Sequence, residues 1–366
     1  MHEVELSYSL GARRSPDALI RNPLMDLLHA VQRHGSISSA ARALDLSYRH
    51  VWGELKRWEQ ALGHNLIVWD KGQPARLSPF GDKLLWAERQ AQARLSAQIA
   101  ALHADLERVF AVAFDDTAHV LSFYASHDDA LATLREHAAA RARLHLDIHF
   151  CGSVDAIGAL NEGRCTMAGF HTLEQPAAGT LAQRTYQPLL QPGLHKIIGF
   201  ARRSQGLIVA RGNPLQLAAL ADLKRAKARY VNRGIGTGTR VVLDELLAQA
   251  QLGAADIDGY NRIEPSHAAV AQAVAAGSAD AGLGLESAAR ARGLDFVPLL
   301  HERYHLVCLK SALTQPATQA LLQVLRSVEW QQQLGALAGY APADSGDVLS
   351  LRRILPWWEF KRKKRP

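Results

Sequence analysis

Three segments of the chain place hydroxyl groups and free backbone N–H groups where a strand gives way to a helix. They are residues 125–128, 151–154 and the glycine-rich stretch 232–240. Backbone N–H groups at a helix start, together with the positive end of the helix dipole, bind anions. Any one segment could be a capped turn alone, but three at equivalent positions favour a site for an anion or a small polar ligand. The glycine stretch lacks the lysine of a P-loop and the spacing of a dinucleotide fingerprint.

Other reactive side chains form no recognised catalytic motif. The sequence contains no H-E-x-x-H, no G-x-S-x-G and no paired metal-ligand spacing. His145, Asp147, His149 and Cys151 alternate along one predicted strand and share a face, and a polar strand edge explains them better than a metal site. The cysteine count of 3 is odd and includes no C-x-x-C pair, which argues against a disulfide framework.

The polar segments lie in a region where strand-like apolar runs alternate with helical segments. Alternation of this kind predicts an α/β domain with parallel strands. In such sheets, ligands bind at the carboxyl ends of the strands. Strands are expected at 119–125, 144–150, 196–200, 207–210, 229–231, 281–285 and 304–309, with helices at 128–140, 154–162, 238–251 and 268–276.

The N-terminal part of the chain predicts three helices, of which the second and third are joined by a short turn. Asn22 and Gly35 bound the first helix, and Ser47 caps a third helix at 48–62. This helix-turn-helix geometry places one helix in the major groove of DNA. The alternative is an ordinary helical hairpin with a solvated basic face.

The third helix has one apolar face, so its remaining faces are available to a groove. A recognition helix reads bases with its N-terminal residues, and a β-wing contacts phosphates or the minor groove. Such a wing is predicted over 65–78. The residues predicted to contact DNA are Ser38, Ser47, Tyr48, Arg49, His50 and Lys56, joined by Lys71 and Arg76 of the wing.

A long helix is predicted to follow the wing, over about 79–110, with an apolar seam. A helix of this length outside a domain core usually packs against a partner copy. A homodimer, or a higher homo-oligomer, on a two-fold DNA site is therefore expected. The predicted domains are a winged helix-turn-helix at 1–78, a linker and dimerisation helix at 79–114, a ligand-binding domain at 115–350 and a basic tail at 351–366.

The 366-residue chain has a formal net charge of +7, and 48% of its residues are hydrophobic, enough for a folded core. Residues 361–365 are all basic. Such a tail is usually solvated, but it could add salt-sensitive affinity for DNA. Neither a signal-peptide core nor an apolar run approaching about 18 residues is present, so a cytoplasmic protein with no membrane partner is expected.

Two known families resemble parts of this sequence. Residues 22–110 resemble winged-helix regulators of the ModE (molybdate-responsive) and LysR types: 35–38 (GSIS) and 47–52 (SYRHVW) are closest to ModE, and 77–81 (LSPFG) resembles the LTxxG that opens the linker helix in both. Residues 118–340 resemble periplasmic-binding-protein-like domains related to molybdate-binding proteins. The matching stretches are 126–128, 151–153, 168–171, 232–240, 266–271, 277–282 and 302–304.

The resemblance implies a mixed fold. An all-α winged helix-turn-helix with a long linker helix would precede an α/β two-lobed domain of the type II periplasmic-binding-protein-like class. Hinge crossings between the lobes are expected near 196–207 and 298–306.

By position, the same resemblance implies which residues bind an oxyanion in the cleft between the lobes. Ser126, Ser153 and Thr239 could instead cap helices, Arg240 could pair with Asp244 one turn on, and the two histidines could lie behind the site. The implied set comprises the donors Ser126, Ser153, Thr237 and Thr239, the charges Arg233 and Arg240, the loop residue Gly238, and His127 and His171 if they face the cleft.

The chain is thus predicted to be a one-component transcription regulator rather than an enzyme, with no cofactor. Its expected effector is molybdate or tungstate, and its expected targets are molybdenum-related genes such as those of formate dehydrogenase. The small β-barrel sensor domains of ModE are missing, so the oxyanion expectation rests on the second domain alone.

Three alternatives remain open. A LysR-like regulator of a small carboxylate such as formate would be favoured by arginine-lined cleft walls. A cytoplasmic molybdate carrier or cofactor-assembly protein would use the helix-turn-helix only to dimerise. An enzyme acting on a molybdenum-cofactor precursor is the third.

Overall fold

A computed structural model describes residues 22–68, 74–115 and 117–358 of the chain. It forms two compact units, which divide between Glu88 and Arg89 within one long helix. The predicted wing residue Lys71 and the basic run 361–365 lie outside the described residues. Within the described ranges, no helix is both long enough and apolar enough to cross a membrane.

The first unit is a helix-turn-helix followed by a short hairpin. Asn22 caps its first helix by accepting hydrogen bonds from the N–H groups of Leu24 (3.0 Å) and Met25 (3.4 Å), and Gly35 ends that helix with a φ of 65°. The Ser36 hydroxyl caps the second helix. The elements are α1 Pro23–His34, α2 Ile37–Ala43, α3 Tyr48–Leu62, β1 Ile67–Val68, β2 Arg76–Leu77 and α4 Pro79–Phe114.

The structure explains why the last position of the 77–81 stretch is a glycine, Gly81. A Cβ atom at position 81 would lie 2.4 Å from the carbonyl oxygen of Leu66, so the first turn of α4 can approach that backbone only without a side chain. Ser78 supports the same contact, because its hydroxyl donates to the Asn65 carbonyl (2.5 Å) and accepts from the Gly81 N–H (3.0 Å). The LSPFG stretch thus joins the wing to the linker helix.

The second unit alternates strands and helices, as the sequence predicts. Its strands are β3 His119–Ala125, β4 Leu144–Phe150, β5 Met167–Leu173, β6 His195–Val209, β7 Tyr230–Arg233, β8 Ile263–Glu264, β9 Ala281–Leu285, β10 Asp295–Leu309, β11 Tyr340–Pro342 and β12 Val348–Ser350. Its helices are α5 Asp129–Ala142, α6 Ser153–Asn161, α7 Leu181–Tyr186, α8 Leu220–Arg225, α9 Gly238–Gln249, α10 His267–Ala275, α11 Glu286–Arg290, α12 Pro316–Arg326, α13 Val328–Gly335 and α14 Leu351–Ile354.

Within the described residues these strands form one sheet in the order β4-β3-β5-β10-β6-β9-β7-β8, with β11 and β12 paired to β6. Strand β3 runs parallel to β4 and β5, and β7 runs parallel to β8 and β9. We call the part built on β3–β5 lobe 1 and the part built on β7–β9 lobe 2. Each lobe has the parallel core that the alternating pattern predicts.

Two long antiparallel strands, β6 and β10, belong to both lobes. They pair from Asp295 opposite Val209 to Leu309 opposite His195, with register shifts near Pro298 and Tyr304. The sequence predicts the two ends of β6, at 196–200 and 207–210, but only the last part of β10, at 304–309. The two-lobed α/β fold and the two predicted crossings are confirmed.

Strand β5 is absent from the sequence prediction. Every residue from Met167 to Thr172 is buried, so the segment shows none of the alternation that marks a strand with one solvated face. The folded chain also continues past the predicted limit at 350. Leu351, Leu355 and Trp357 are buried against lobe 1, and the Trp357 indole N–H donates to the Ala177 carbonyl at 3.2 Å.

Candidate functional site

The first turn of α3 presents the predicted DNA-reading residues. Val51 and Leu55 point into the core of the unit, whereas Tyr48, Arg49 and His50 are exposed, Tyr48 to 50%. Because a recognition helix contacts bases through its N-terminal residues, this arrangement can present a phenol, a guanidinium and an imidazole to a groove.

The other residues predicted to contact DNA differ in their exposure and in their hydrogen-bond and ion-pair partners. The Ser47 hydroxyl accepts a hydrogen bond from the His50 N–H at 3.1 Å, so it caps α3. Lys56 forms an ion pair of 2.6 Å with Glu59, which balances its charge. Ser38 and Arg76 are exposed on α2 and β2. Trp52 is also partly exposed one turn after Tyr48, and the sequence prediction did not include it.

In the second unit the two lobes touch. A Cβ atom on Gly152 of lobe 1 would lie 2.7 Å from the Gly236 carbonyl oxygen of lobe 2. The Ser287 hydroxyl, which follows β9, donates to Asp129 Oδ2 on α5 at 2.6 Å. The structure therefore describes the lobes closed on one another, and polar groups between them are buried.

We call five of these residues the cleft cluster: Ser126, His171, Arg233, Thr239 and His267, all of them buried. Ser126 Oγ and His171 Nε2 share a hydrogen bond of 3.0 Å on lobe 1. Thr239 Oγ1 accepts from Gln205 Nε2 at 3.1 Å and lies 3.5 Å from His267 Nε2. Both lobes thus contribute polar side chains to one buried region.

Burial keeps both histidines of the cleft cluster neutral. It lowers the pKa of His171 well below the usual value, and the charges of Arg203, His305 and Arg233 lower it further. Burial, followed by the charges of Arg233 and Arg203, lowers the pKa of His267 in the same way. The Nδ1 atoms of both rings have no hydrogen-bond partner among the described residues.

Arg233 is the most unusual member of the cluster. Arg233 is 3% exposed, and neither its Nε nor its Nη1 atom has a hydrogen-bond partner among the described residues. Burial, and then the charge of Arg203, lowers the pKa of Arg233 to about 10, so the side chain is still charged at neutral pH. A buried charge without a partner is strongly destabilising. The site therefore has the charge and the donors to hold an anion.

The other arginine of the glycine stretch is paired. Arg240 Nε lies 3.2 Å from Asp244 Oδ1, and its guanidinium sits 4.0 Å from the ring centre of Tyr260. The pairing considered from the sequence is present, and it balances the Arg240 charge. Thr237 caps α9: its hydroxyl accepts from the Arg240 N–H at 3.4 Å and donates to the Gly234 carbonyl at 2.8 Å.

The remaining predicted ligand residues lie around the cluster. Gly238 faces His171 across the lobe contact. His127 packs its ring 5.0 Å from that of Phe150, and burial lowers its pKa against the opposing charges of Asp129 and Asp128. Ser153 begins α6 but does not cap it, and its fully buried hydroxyl neighbours the Tyr186 phenol.

A buried charge network that was not predicted from the sequence lies beside the cluster. Arg203 of β6 donates to Asp128 and, at 2.9 Å, to Glu302 of β10, and the Tyr340 hydroxyl donates to Asp128 at 2.9 Å. Burial alone would lower the pKa of Arg203, but the charges of Glu302 and Asp128 raise it above its usual value. The sequence offered one indication of this network: Arg203 and Glu302 lie within the two predicted crossings between the lobes. Arg203 is thereby neutralised, in contrast to Arg233.

No metal centre is found among the described residues: none of their His, Cys, Asp and Glu side chains form a group of three or more that could hold an ion. On the polar edge of β4, His149 lies 3.5 Å from Asp147 and stacks on Tyr124 with ring centres 4.7 Å apart.

Comparison with known families covers both units. Residues 134–326 match the PBP superfamily domain. Residues 24–82 match the bacterial regulatory helix-turn-helix protein, lysR family. Of the two regulator types that the first unit resembles, the match is thus to the LysR type.

Two relatives are similar to part of this chain. The chain is 34% identical over 198 residues to the uncharacterized protein YvgK of Bacillus subtilis (strain 168), covering 54% of this chain and 63% of that protein's length. It is 34% identical over 111 residues to an uncharacterized protein in the ferredoxin 2Fe-2S gene 5' region of Clostridium pasteurianum, covering 30% of this chain and 98% of that protein.

A solved structure described as CbnR, a LysR family transcriptional regulator, aligns over 81% of this chain and 96% of that chain. The TM-score is 0.38 and the sequence identity is 18%.

Proposed function

The chain belongs to the PBP superfamily and carries, ahead of that domain, a helix-turn-helix of the lysR family; from this premise we propose that it is a one-component transcription regulator that senses a small anion between its lobes. The observation that carries the proposal is Arg233, whose buried and charged guanidinium has Nε and Nη1 without a hydrogen-bond partner among the described residues. The helix-turn-helix supplies the DNA-binding output.

An anion next to Arg233 would supply what the buried guanidinium lacks. Hydrogen bonds to a charged group contribute about 1.5–3 kcal/mol each, more than neutral ones. Because the neighbouring histidines are neutral, the charge available to the anion comes mainly from Arg233. Ser126 and Thr239 hydroxyls and the first turn of α9 are further donors in the same region.

The chemistry of the cluster favours a small carboxylate over an oxyanion such as molybdate. The guanidinium is planar and presents paired donors that match a carboxylate or a phosphate, whereas proteins that bind molybdate mostly use neutral donors. An arginine in the cleft wall is also the feature that distinguishes the carboxylate alternative from the molybdate one. We therefore place a carboxylate such as formate first, and molybdate or tungstate second, as the effector.

Thermal unfolding against a panel of anions tests this proposal. The panel contains formate, acetate, molybdate, tungstate, sulfate and phosphate. A specific anion at about 100 times its dissociation constant stabilises the fold by roughly 2.7 kcal/mol. Arg233→Met should lose this shift, whereas Arg229→Met, which removes an arginine paired with Asp280 just before β7, should keep it. A wild-type protein that no member of the panel stabilises would contradict sensing of these anions.

The output is tested with a DNA duplex selected from random sequence by the purified protein. The anion that stabilises the fold should change the affinity for that duplex, and Arg233→Met should abolish the change. An anion that binds without altering DNA affinity would instead support a carrier.

We also propose that a second copy packs against α4. This helix exposes large apolar side chains in the single chain, with Leu102 61% and Phe114 87% exposed. Burial of such side chains is the usual driving force for helix pairing. Sedimentation equilibrium should give at least a dimer, and Leu102→Glu should weaken it. A monomeric wild-type protein would contradict the pairing.

A further inference from the structure

Helix α4 is joined to lobe 2 by a two-point ion pair. Arg94 donates from Nε to Glu264 Oε2 at 3.2 Å and from Nη2 to Glu264 Oε1 at 2.8 Å. The Glu264 side chain is 8% exposed and the Arg94 side chain 58%, so the carboxylate is shielded from solvent while the guanidinium is partly hydrated. A two-point contact of this kind defines the relative orientation of both side chains as well as their distance. The segment of α4 around Arg94 is thus held to β8.

Glu264 is also the backbone neighbour of Arg233. Strands β7 and β8 pair in parallel with Arg233 opposite Glu264. The residue that carries the proposed anion charge and the residue that holds α4 therefore lie side by side on two hydrogen-bonded strands. A displacement of one strand would be transmitted to the other through this backbone pairing.

Ser266 and His267, which follow Glu264, also connect α4 with the cleft cluster. The Ser266 hydroxyl caps α10 by accepting from the Ala269 N–H at 3.1 Å, and it lies 3.4 Å from the Ala93 carbonyl oxygen of α4, to which it donates. The next residue, His267, reaches Thr239 in the cleft cluster. Segment 264–267 therefore contacts the cleft cluster on one side and α4 on the other.

We infer that the Arg94–Glu264 pair transmits occupancy of the cleft to the linker helix, and through it to DNA affinity. This inference rests on the proposed function, because it needs an anion at Arg233. An anion that draws in the Arg233 side chain displaces β7 and, with it, β8 and Glu264. Since α4 is one continuous helix from Pro79 to Phe114, a change in its restraint at Arg94 acts on the same helix that begins in the DNA-binding unit. An element whose position both sites influence is a physical basis for coupling between them.

A double-mutant cycle tests the inference in the full-length protein. The variants are Arg94→Ala, Glu264→Gln and the two together, with formate and molybdate as probes. Two quantities are measured for each variant: anion affinity by calorimetry, and the ratio of DNA affinities with and without the anion. The matched control is Arg229→Ala, which breaks a two-point pair with Asp280 of 3.0 and 2.7 Å on the surface of the same lobe.

The wild-type ratio should be at least about fivefold, as is typical of allosteric coupling. Each single variant should bring that ratio to about one while its anion affinity stays within about threefold of the wild-type value. The double variant should change the ratio no further than either single variant. The control should keep the wild-type ratio. Hydrogen exchange of residues 89–98 should also become faster in Arg94→Ala, with or without anion.

The outcomes separate this inference from the proposed function. A wild-type ratio of about one, measured with a bound anion, overturns both. A wild-type ratio of at least about fivefold that persists in Arg94→Ala overturns only the role of the ion pair. Unchanged hydrogen exchange at 89–98 in that variant likewise overturns it, because the contact would then not restrain the helix.

Discussion

Gly238 of lobe 2 approaches His171 of lobe 1 so closely that a Cβ atom at position 238 would lie 2.8 Å from Cδ2 of the imidazole. His171 is itself buried and hydrogen-bonded to Ser126, so the ring has little freedom to withdraw. The two lobes can therefore meet here only because position 238 has no side chain. Closure around the cleft cluster depends on this glycine.

Gly238→Ala should keep the lobes apart. We expect a loss of anion affinity of about tenfold or more, corresponding to about 1.4 kcal/mol, since the added methyl group meets a fixed ring. Thermal shift and calorimetry with the stabilising anion measure the change. Gly234→Ala is the matched control in the same stretch: its Cβ atom would find its nearest neighbour, Ile263 Cγ2, at 3.9 Å. Equal affinity of both variants and the wild type would show that closure does not require the close approach.

Arg233→Met should stabilise the anion-free protein. Because the folded-state pKa of Arg233 lies near 10, below its usual value, the folded state disfavours the charge. The cost in stability is present at every pH below 10, and stability rises as the pH increases above 10, where the folded state loses the proton before the unfolded state does. At pH 7 it is on the order of 3 kcal/mol, and urea unfolding without anion measures it.

Arg203→Met is the control, and the opposite change in stability is expected for it. It should destabilise the protein, because Asp128 and Glu302 would remain buried without their cation. A decrease in stability for Arg233→Met would mean that Arg233 has a stabilising partner in the free protein.

His305 should make the protein less stable in acid. Burial, and then the charge of Arg303, lowers its pKa to about 3, and its Nε2 shares a hydrogen bond of 3.0 Å with the Thr172 hydroxyl. Between pH 6.5 and 3 the unfolded state binds a proton that the folded state does not, so stability falls as the pH decreases.

His305→Gln should remove up to about 1.4 kcal/mol per pH unit from this decline, because it removes one linked proton. Urea unfolding at a series of pH values from 7 to about 4 measures the slope. His171 and His267 contribute in the same direction and remain in the variant. Identical slopes for variant and wild type would contradict the assignment to His305.

The exposed first turn of α3 should determine DNA specificity. Arg49→Ala and His50→Ala should each lower affinity for the selected duplex by about 1–3 kcal/mol if they contact bases. Thermal stability should be unchanged because both side chains are exposed. Arg57→Ala is the control on the same helix, since Arg57 is paired with Glu54 at 2.5 Å. Fluorescence anisotropy with the selected and a random duplex measures the effect, and unaltered binding in both variants would favour the carrier alternative.

Local sequence signals predicted the bounds of several helices and strands. Helices α1 and α3 begin and end where Asn22, Gly35 and Ser47 indicate, because caps join residues two to four positions apart. Strands β3, β4 and β9 likewise have their predicted bounds. Strand β5 was missed because Met167 to Thr172 are all buried, so the segment shows no alternating pattern.

The sequence by itself determined the two-lobed α/β fold with its N-terminal helix-turn-helix, and it identified the glycine stretch as a candidate ligand segment. It did not distinguish Arg233 from Arg240, since both are arginines of that stretch. Only the tertiary structure pairs Arg240 with Asp244 and Tyr260, and only it buries Arg233 with Nε and Nη1 unpartnered in the described part of the chain. It also joins Arg203 to Glu302, which is 99 residues away. Caps and periodicity are local properties of the chain, whereas burial and charge pairing depend on which distant strands the fold brings together.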